Sequence, residues 1–338
     1  MRERAAGSRW KLWLLLDANR WVVTAAVLVA IFGALVALSV VSPVTLREAL
    51  GQSDPVETLF QALVTAIITG VTLVVTITQL ALSQELGAVG DQRERMEGAL
   101  SFRRDVEDAI DAPVSPPEPA AFLRALVEAT KARAEDLAGA VGASHDEVLR
   151  ERVDTYTAGL ADDADQVADR LAGAEFGTFG VLFAALDYNY SWKIYEARRL
   201  RAEYGDTLSE EATDALEGVV ETLRLFGPAR EHVKTLYFQW ELTNLSRTIL
   251  YAAVPALVVA IGGVLFLDSP GTVTGTTLGV DNLVLVVVAA TTVSLAPFAL
   301  LLAYVLRIAT VAKRTLAIGP FVLRETNRSE SIEWDDAE

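Results

Sequence analysis

The chain of 338 residues is 52% hydrophobic yet carries a formal net charge of −16, so its apolar and charged residues must occupy separate segments. It has no cysteine and two histidines, which excludes disulfides and zinc–cysteine sites and argues against a histidine-based metal centre. No phosphate-binding loop, dinucleotide fingerprint, nucleophile elbow or zinc-protease motif occurs, so we expect no enzyme, no cofactor and no metal. The acidic excess also argues against nucleic-acid binding, which needs basic residues to neutralise phosphates.

Four uncharged stretches each hold the ~20 apolar residues that a helix needs to cross a bilayer. They predict transmembrane helices near residues 21–41, 59–82, 248–267 and 283–306. The first stretch is longer than the ~7–15-residue apolar region of a cleaved signal peptide. The predicted fold class is therefore all-α: a polytopic membrane protein with four transmembrane helices and a helical cytoplasmic domain between spans 2 and 3.

The N-terminal segment, residues 1–20, carries five basic residues and two tryptophans next to the first span. This pattern is typical of the membrane–water interface. Two interpretations of Arg9–Asp17 stay open: it lies along the membrane surface, or it extends the first span.

Lysine and arginine counts near the spans predict the orientation of the chain. The loop 42–57 has Arg47 as its one basic residue, and the loop 268–282 has none. Both termini, the segment 83–247 and the tail 307–338 are therefore expected in the cytoplasm. We expect a multi-pass protein of the plasma membrane, with the lipid bilayer as one of its partners.

The second span, which completes the membrane segment 21–82, has a polar face. At about 100° per residue, eight polar residues fall within an arc of ~80° that contains no apolar residue. We call this set the polar stripe, and it consists of Thr58, Gln61, Thr65, Thr69, Thr72, Thr76, Gln79 and Ser83. From Leu59 to Leu82, Thr78 is the one polar residue outside it.

Lipid offers hydroxyl and amide groups no hydrogen-bond partner, so the polar stripe should face protein or water. If several copies of the helix surround an axis, the stripe lines a conduit with rings of Gln61 and Gln79 near its two ends. If the helix packs on neighbouring helices, the same residues serve close packing and interhelical hydrogen bonds. Each threonine can also donate to a carbonyl four residues earlier on its own helix.

A straight continuation of this helix would bring Glu94 and Glu97 onto the same arc, at a cytoplasmic vestibule. Rings of carboxylates favour cations, so inorganic cations are candidate permeant species. In about 1 M salt the Debye length is only ~3 Å, and such exposed rings would bias selectivity weakly.

The segment 83–247 holds 32 acidic and 18 basic residues and therefore most of the net charge. Its periodicity is helical throughout, and Pro113–Pro119 and the pair Gly227–Pro228 predict breaks. The predicted helices are near 83–111, 119–141, 145–174, 178–203, 208–226 and 229–267, the last entering the third span.

Two side-chain clusters in this segment have a structural and a functional interpretation. Aromatic residues between Phe176 and Tyr195 predict a buried core in preference to a ligand pocket. Asp162, Asp165 and Asp169 share a helix face, which we interpret as a solvated surface in preference to a cation site.

The last membrane segment, 248–306, contains two features that predict supporting roles. Ala252, Ala256, Ala260 and Gly263 form a small-residue face suited to close helix packing. Pro255 and Pro297 predict one kink in each of the last two spans.

The run TLVVTITQLALSQELGAVGDQRERMEGALSFRRDVE, residues 72–107, resembles a family of uncharacterised membrane proteins from halophilic archaea. The resemblance implies a source and a family but no activity. An acidic surface with 24 arginines against 5 lysines suits a protein kept soluble in concentrated salt.

The layout also resembles that of bestrophin-type channels, with four spans, both termini inside and a second span that lines an oligomeric pore. This resemblance covers topology alone. Bestrophins constrict that span with bulky apolar residues, whereas threonine and glutamine occupy it here. Neither their selectivity nor their functional residues transfer to this chain.

We therefore expect a homo-oligomeric ion channel or pore-like protein whose second span lines the axis and whose acidic domain forms a vestibule or gate. The alternative is a membrane-tethered interaction or scaffold protein whose cytoplasmic helices bind a partner. Secondary transport fits less well, because no charged residue lies within a span and the two halves show no inverted repeat.

Overall fold

The computed structural model describes residues 18–50, 54–83, 87–174, 179–267, 269, 271 and 273–315. The predicted interfacial segment up to residue 17, Phe176, and the tail beyond residue 315 lie outside this described part. The chain divides into two compact units. The acidic unit comprises the described residues of Gly87–Phe238 with 313–315, and the apolar unit comprises those up to residue 83 and those of Gln239–Ala312.

The described chain is built almost entirely of helices, as the sequence predicts. In order they are α1 Arg20–Val41, α2 Leu46–Leu50, α3 Pro55–Ser83, α4 Val89–Ala109, α5 Pro119–Gly142, α6 Glu147–Leu171, α7 Phe179–Asp187, α8 Tyr190–Tyr204, α9 Glu210–Phe266, α10 Asn282–Ser294 and α11 Ala296–Thr315.

A short antiparallel hairpin between α9 and α10 is absent from the sequence prediction. Strand β1 Thr276–Thr277 pairs with β2 Val280–Asp281, and Leu278 and Gly279 at the tip have φ angles of 53° and 82°. Positive φ at both central residues is typical of the type I′ turn, one of the two common two-residue hairpin turns. Strands of two residues are too short to show an alternating pattern, so periodicity could not reveal them.

Helices form at all four predicted span positions. Three of them, α1, α3 and α9, are long and apolar enough to cross a membrane. The fourth stretch is broken, because α10 and α11 meet at an angle of 44° next to Pro297. The number of candidate spans is three, or four if this bent pair counts as one. A kink at Pro297 is confirmed.

The core of the apolar unit joins α3, the last part of α9, and α10. Phe60 and Ile67 of α3 are fully buried, as are Ala256 and Ala260 of α9. A Cβ atom added at Gly263 would lie 2.5 Å from the Phe60 ring. The small-residue face predicted on the third span is thus the surface on which the second span packs.

The core of the acidic unit is formed by α5 and α6, with α7, α8 and the first part of α9. Tyr188 and Trp192 are buried, and the Tyr188 ring meets Phe226 edge-on at a centroid distance of 4.9 Å. This part of the aromatic cluster belongs to the hydrophobic core, as predicted.

The predicted break at Gly227–Pro228 is wrong, because the helices expected at 208–226 and 229–267 are the single helix α9. A proline inside a helix costs about 3 kcal/mol. Burial of Phe226 on one side of the pair and Ala229 on the other offsets that cost. Gly227 gives room to a neighbour, since a Cβ there would lie 3.0 Å from the Tyr190 hydroxyl.

Two other predicted helices have different bounds. The helix expected at 178–203 is divided into α7 and α8 by a turn at Tyr188 and Asn189, where the Tyr190 amide donates to the Tyr188 carbonyl at 3.0 Å. The helix expected from residue 83 begins at Val89, after α3 has ended at Ser83. Both breaks lack a proline, which is why the periodicity alone did not reveal them.

Candidate functional site

The polar stripe lies on one exposed face of α3. All eight of its residues are exposed in the single chain. The opposite face of the helix is buried in the apolar unit, through Phe60, Leu63, Ile67 and Val74. The remaining polar residue, Thr78, is on that buried face and donates its hydroxyl to the Val74 carbonyl at 3.0 Å.

The exposed surface of α3 carries apolar side chains beside the polar stripe. Leu59, Leu73, Ile77 and Leu80 form an exposed apolar strip along one side of it, and Ile68 is exposed on the other side. One face of the helix therefore offers two chemically different surfaces to its surroundings, and a uniform environment would suit only one of them.

Most hydroxyls of the stripe donate to the backbone of α3 or of Asp54, the residue before it. The donor hydroxyls and acceptor carbonyls are Thr58 to Asp54 at 2.9 Å, Thr65 to Gln61 at 3.0 Å, Thr72 to Ile68 at 2.8 Å, Thr76 to Thr72 at 2.8 Å and Ser83 to Leu80 at 2.7 Å. The expected donation four residues back is confirmed for four threonines, and no hydrogen bond leaves the helix from them within the described part of the chain.

The two glutamines differ in their surroundings. The Gln61 amide nitrogen donates to the Glu57 carboxylate at 2.8 Å, on the same helix. Among the described residues, the side chains of Gln79 and Thr69 have no hydrogen-bond partner. These two residues need a partner from outside the chain more than the rest of the stripe.

The structure does not provide the straight helix that would carry the stripe to Glu94 and Glu97. Ser83 ends α3, and Glu94 and Glu97 belong to the separate helix α4 in the acidic unit. Both carboxylates are exposed, and Glu97 accepts a hydrogen bond from Arg93 at 2.6 Å. The charge of Glu97 is thus partly neutralised on its own helix.

A buried ion cluster in the apolar unit was missed by the sequence prediction. Glu241 of α9 contacts Arg20 of α1 at 2.8 Å and Arg307 of α11 at 3.5 Å, and all three side chains are at most 12% exposed. The Arg20 guanidinium also lies over the Tyr304 ring, 5.5 Å from its centroid. In the sequence these charges mark the ends of spans, and nothing in their spacing signals that they meet.

A second ion pair joins the loops at residues 42–57 and 268–282. Arg47 donates to both Asp281 oxygens and to the Val273 carbonyl. The hydrogen bond from Arg47 lowers the pKa of Asp281 and raises the pKa of Arg47. Asp281 also caps α10, accepting from the Leu283 amide at 2.9 Å.

The aspartate face of α6 is engaged in local contacts. Asp165 binds Lys131 at 2.8 Å, and Asp162 accepts from the Gln166 amide at 2.8 Å. No group of three or more histidine, aspartate or glutamate residues in the described part of the chain is arranged to hold a metal ion.

The chain belongs to the family of unknown function DUF7972, whose model matches residues 1–336. This agrees with the expected membership of an uncharacterised family. No curated protein and no solved structure matches the chain. A function must therefore be argued from the residues themselves.

Proposed function

We propose that the chain is a homo-oligomeric channel of the plasma membrane, in which several copies of α3 surround an axis and the polar stripe lines it. One observation carries the proposal: eight polar residues occupy a single exposed face along the whole of a membrane-length helix. No described side chain of the same unit covers that face.

The proposed topology has four spans, with α10 and α11 counted together as the fourth. The scarcity of basic residues in the loops 42–57 and 268–282 supports a cytoplasmic position for both termini and for the acidic unit. The acidic composition supports a protein that works in concentrated salt, as in a halophilic archaeon.

Hydrogen bonds within α3 set the threonines of the stripe apart from its glutamines. A threonine that donates to its own backbone loses little in hydrocarbon, so Thr58, Thr65, Thr72 and Thr76 would be tolerated against lipid. An amide without a partner costs roughly 2–7 kcal/mol when it leaves water for an apolar medium. Gln79 therefore favours a watery or protein environment most strongly.

The division of the exposed face supports an assembly in preference to a monomer. In a monomer, lipid would surround both the polar stripe and the apolar strip of Leu59, Leu73, Ile77 and Leu80. In a ring of copies, the apolar strip packs on a neighbouring copy or lipid while the stripe turns to the axis.

Single-cysteine labelling tests the proposal, because the chain has no cysteine of its own. Thr76→Cys lies on the stripe, and Ile77→Cys is the matched control on the apolar strip; both parent residues are exposed. Thiolates form in water and not in lipid, so a charged methanethiosulfonate reagent should modify the thiol of the first variant and spare that of the second. Modification should also reduce the conductance of purified protein in planar bilayers.

Equal labelling of the two positions, together with a monomer by light scattering in detergent, would exclude the pore. The oligomer number comes from the same light-scattering experiment.

The alternative function, a membrane-tethered protein that docks a partner, also has an observation in its favour. Three apolar side chains of α4 are exposed: Val89 by 84%, Met96 by 67% and Leu100 by 50%. A docking protein should lose its partner on Met96→Glu and tolerate Thr72→Leu with Thr76→Leu. A channel should show the reverse pattern in conductance.

A further inference from the structure

We infer that the pore conducts monovalent cations in preference to anions, because five of the six hydroxyls on its lining have their hydrogens bound to backbone carbonyls and present oxygen lone pairs. The inference rests on the proposed function, since it concerns the selectivity of the same helix face. It derives from the direction of hydrogen bonds on α3 and not from the carboxylates of α4.

Most hydroxyl hydrogens of the stripe are directed away from the lining. A threonine hydroxyl has one hydrogen and two lone pairs. In Thr58, Thr65, Thr72 and Thr76 the hydrogen is bound to a backbone carbonyl four residues earlier, at 2.8 to 3.0 Å. What each hydroxyl can offer to a passing ion is therefore an acceptor oxygen, which attracts cations and repels anions.

Gln61 also has part of its donor capacity bound. One of its two amide hydrogens is bound to the Glu57 carboxylate at 2.8 Å, which orients the group and leaves one hydrogen and the amide oxygen free. Without Glu57 the amide would be free to turn its hydrogens outward.

The fixed charge on α3 has a single sign. Between Pro55 and Ser83 the helix has no basic residue, and Glu57, at its first turn, is its one charged residue. Arg47, in the neighbouring helix α2, is bound by both oxygens of Asp281 and by the Val273 carbonyl. The carboxylate at this mouth is thus not opposed by a basic residue of its own helix.

The lining suits monovalent ions better than divalent ions. Calcium and magnesium sites in proteins gather several carboxylates or keep tightly held waters. Beyond the ring of Glu57 at one end, the copies of α3 offer only neutral groups along the rest of their length. A monovalent ion gives up water at a cost that neutral oxygens can repay, as carbonyl rings do in potassium filters.

The test is the reversal potential of purified protein in planar bilayers under a KCl gradient. We expect the reversal potential to shift toward the potassium equilibrium potential. If the inference is wrong, it will shift toward the chloride equilibrium potential. A protein that conducts but selects anions overturns the inference alone. A protein with no conductance overturns the proposed function, and the inference with it.

Thr72→Val identifies the hydroxyl oxygens as the cause, because valine keeps the shape of threonine and removes the oxygen. The potassium-to-chloride permeability ratio should fall by roughly tenfold, the size of one lost contact to a charged group per site. The control is Thr78→Val, a residue on the buried face whose replacement should leave the ratio unchanged. Equal effects of the two changes would contradict an oxygen lining.

Glu57→Gln tests the mouth separately. It removes the charge and weakens the hydrogen bond from the Gln61 amide, so the permeability ratio should fall most at ~0.1 M salt, where the Debye length is ~10 Å, and least at ~1 M, where it is ~3 Å. A fall that does not depend on salt would show that Glu57 acts by other means than its charge.

Discussion

Glu241→Gln should destabilise the apolar unit strongly. Of the charged residues discussed above, Glu241 should be the most costly to replace by a neutral residue of the same shape. Glu241 is 3% exposed and accepts from Arg20 at 2.8 Å, with Arg307 at 3.5 Å. In Glu241→Gln, two guanidinium groups from different helices keep their burial and lose the anion between them. Shape and volume hardly change, so the effect isolates the charge.

The expected loss of unfolding free energy follows from the contacts of Glu241. Removing one partner of a buried pair costs about 3–5 kcal/mol, because the remaining charge is left uncompensated. Arg20→Gln should cost less, since Arg307 still faces Glu241 at 3.5 Å. For a chain of 338 residues, Glu241→Gln should therefore lower Tm by roughly 4–7 °C.

Thermal unfolding in detergent, followed by the fluorescence of the six tryptophans, measures these changes. The matched control is Glu97→Gln, which removes the same charge from an exposed pair with Arg93 and should cost well under about 1 kcal/mol. If both substitutions shift Tm by the same small amount, the cluster is solvated and the reasoning from burial fails.

Three further predictions concern packing and pH. Gly263→Ala should lower the free energy of unfolding by about 1–3 kcal/mol, because its Cβ would lie 2.5 Å from the Phe60 ring. The control Gly33→Ala should be neutral or slightly stabilising, because no atom lies within 4 Å of the added Cβ. Equal Tm values for the two variants would disprove the tight contact. The lowered pKa of Asp281 makes its stabilisation complete above the ordinary aspartate pKa of about 3.9 and lost as the pH falls through the folded-state value. Asp281→Asn should therefore be less stable at neutral pH, and a gap in Tm that persists in acid would contradict this. Burial raises the pKa of Glu196, so its ionised form lowers the stability of the fold at neutral pH. Glu196→Gln should therefore raise Tm at neutral pH, and this gain should shrink as the pH falls through the raised pKa. A lower Tm at neutral pH would show that the attraction of Glu196 to Lys193 dominates.

The positions of the long helices could be predicted from the sequence, because each depends on an uninterrupted apolar run. The break at Gly227–Pro228 could not be judged in the same way. Local propensity assigns a helix end to that pair, whereas burial of Phe226 and Ala229 and the close approach of Tyr190 keep α9 continuous. Packing between segments far apart in the chain decided the outcome.

The polar stripe could be predicted from the periodicity of the sequence. Donation from Thr65 or Thr72 to a carbonyl four residues back follows from helix geometry alone.

The ion cluster of Arg20, Glu241 and Arg307 could not be predicted. It joins three helices that lie far apart in the chain, and no local pattern encodes such a meeting.

The charged and polar residues of the apolar unit differ in what they do for the fold. Arg47 with Asp281, and Arg20 with Glu241, join separate elements of the unit. The hydrogen bonds of the polar stripe stay within α3 and the residue before it, at least among the described residues, and join no other helix. Leucine at position 72 or 79 would leave the helix at least as stable in apolar surroundings. It has a higher helix propensity than threonine and no polar group that needs a hydrogen-bond partner. The stability of one chain therefore gives no reason for a polar residue at these positions, and that reason must come from what the exposed face meets outside the chain.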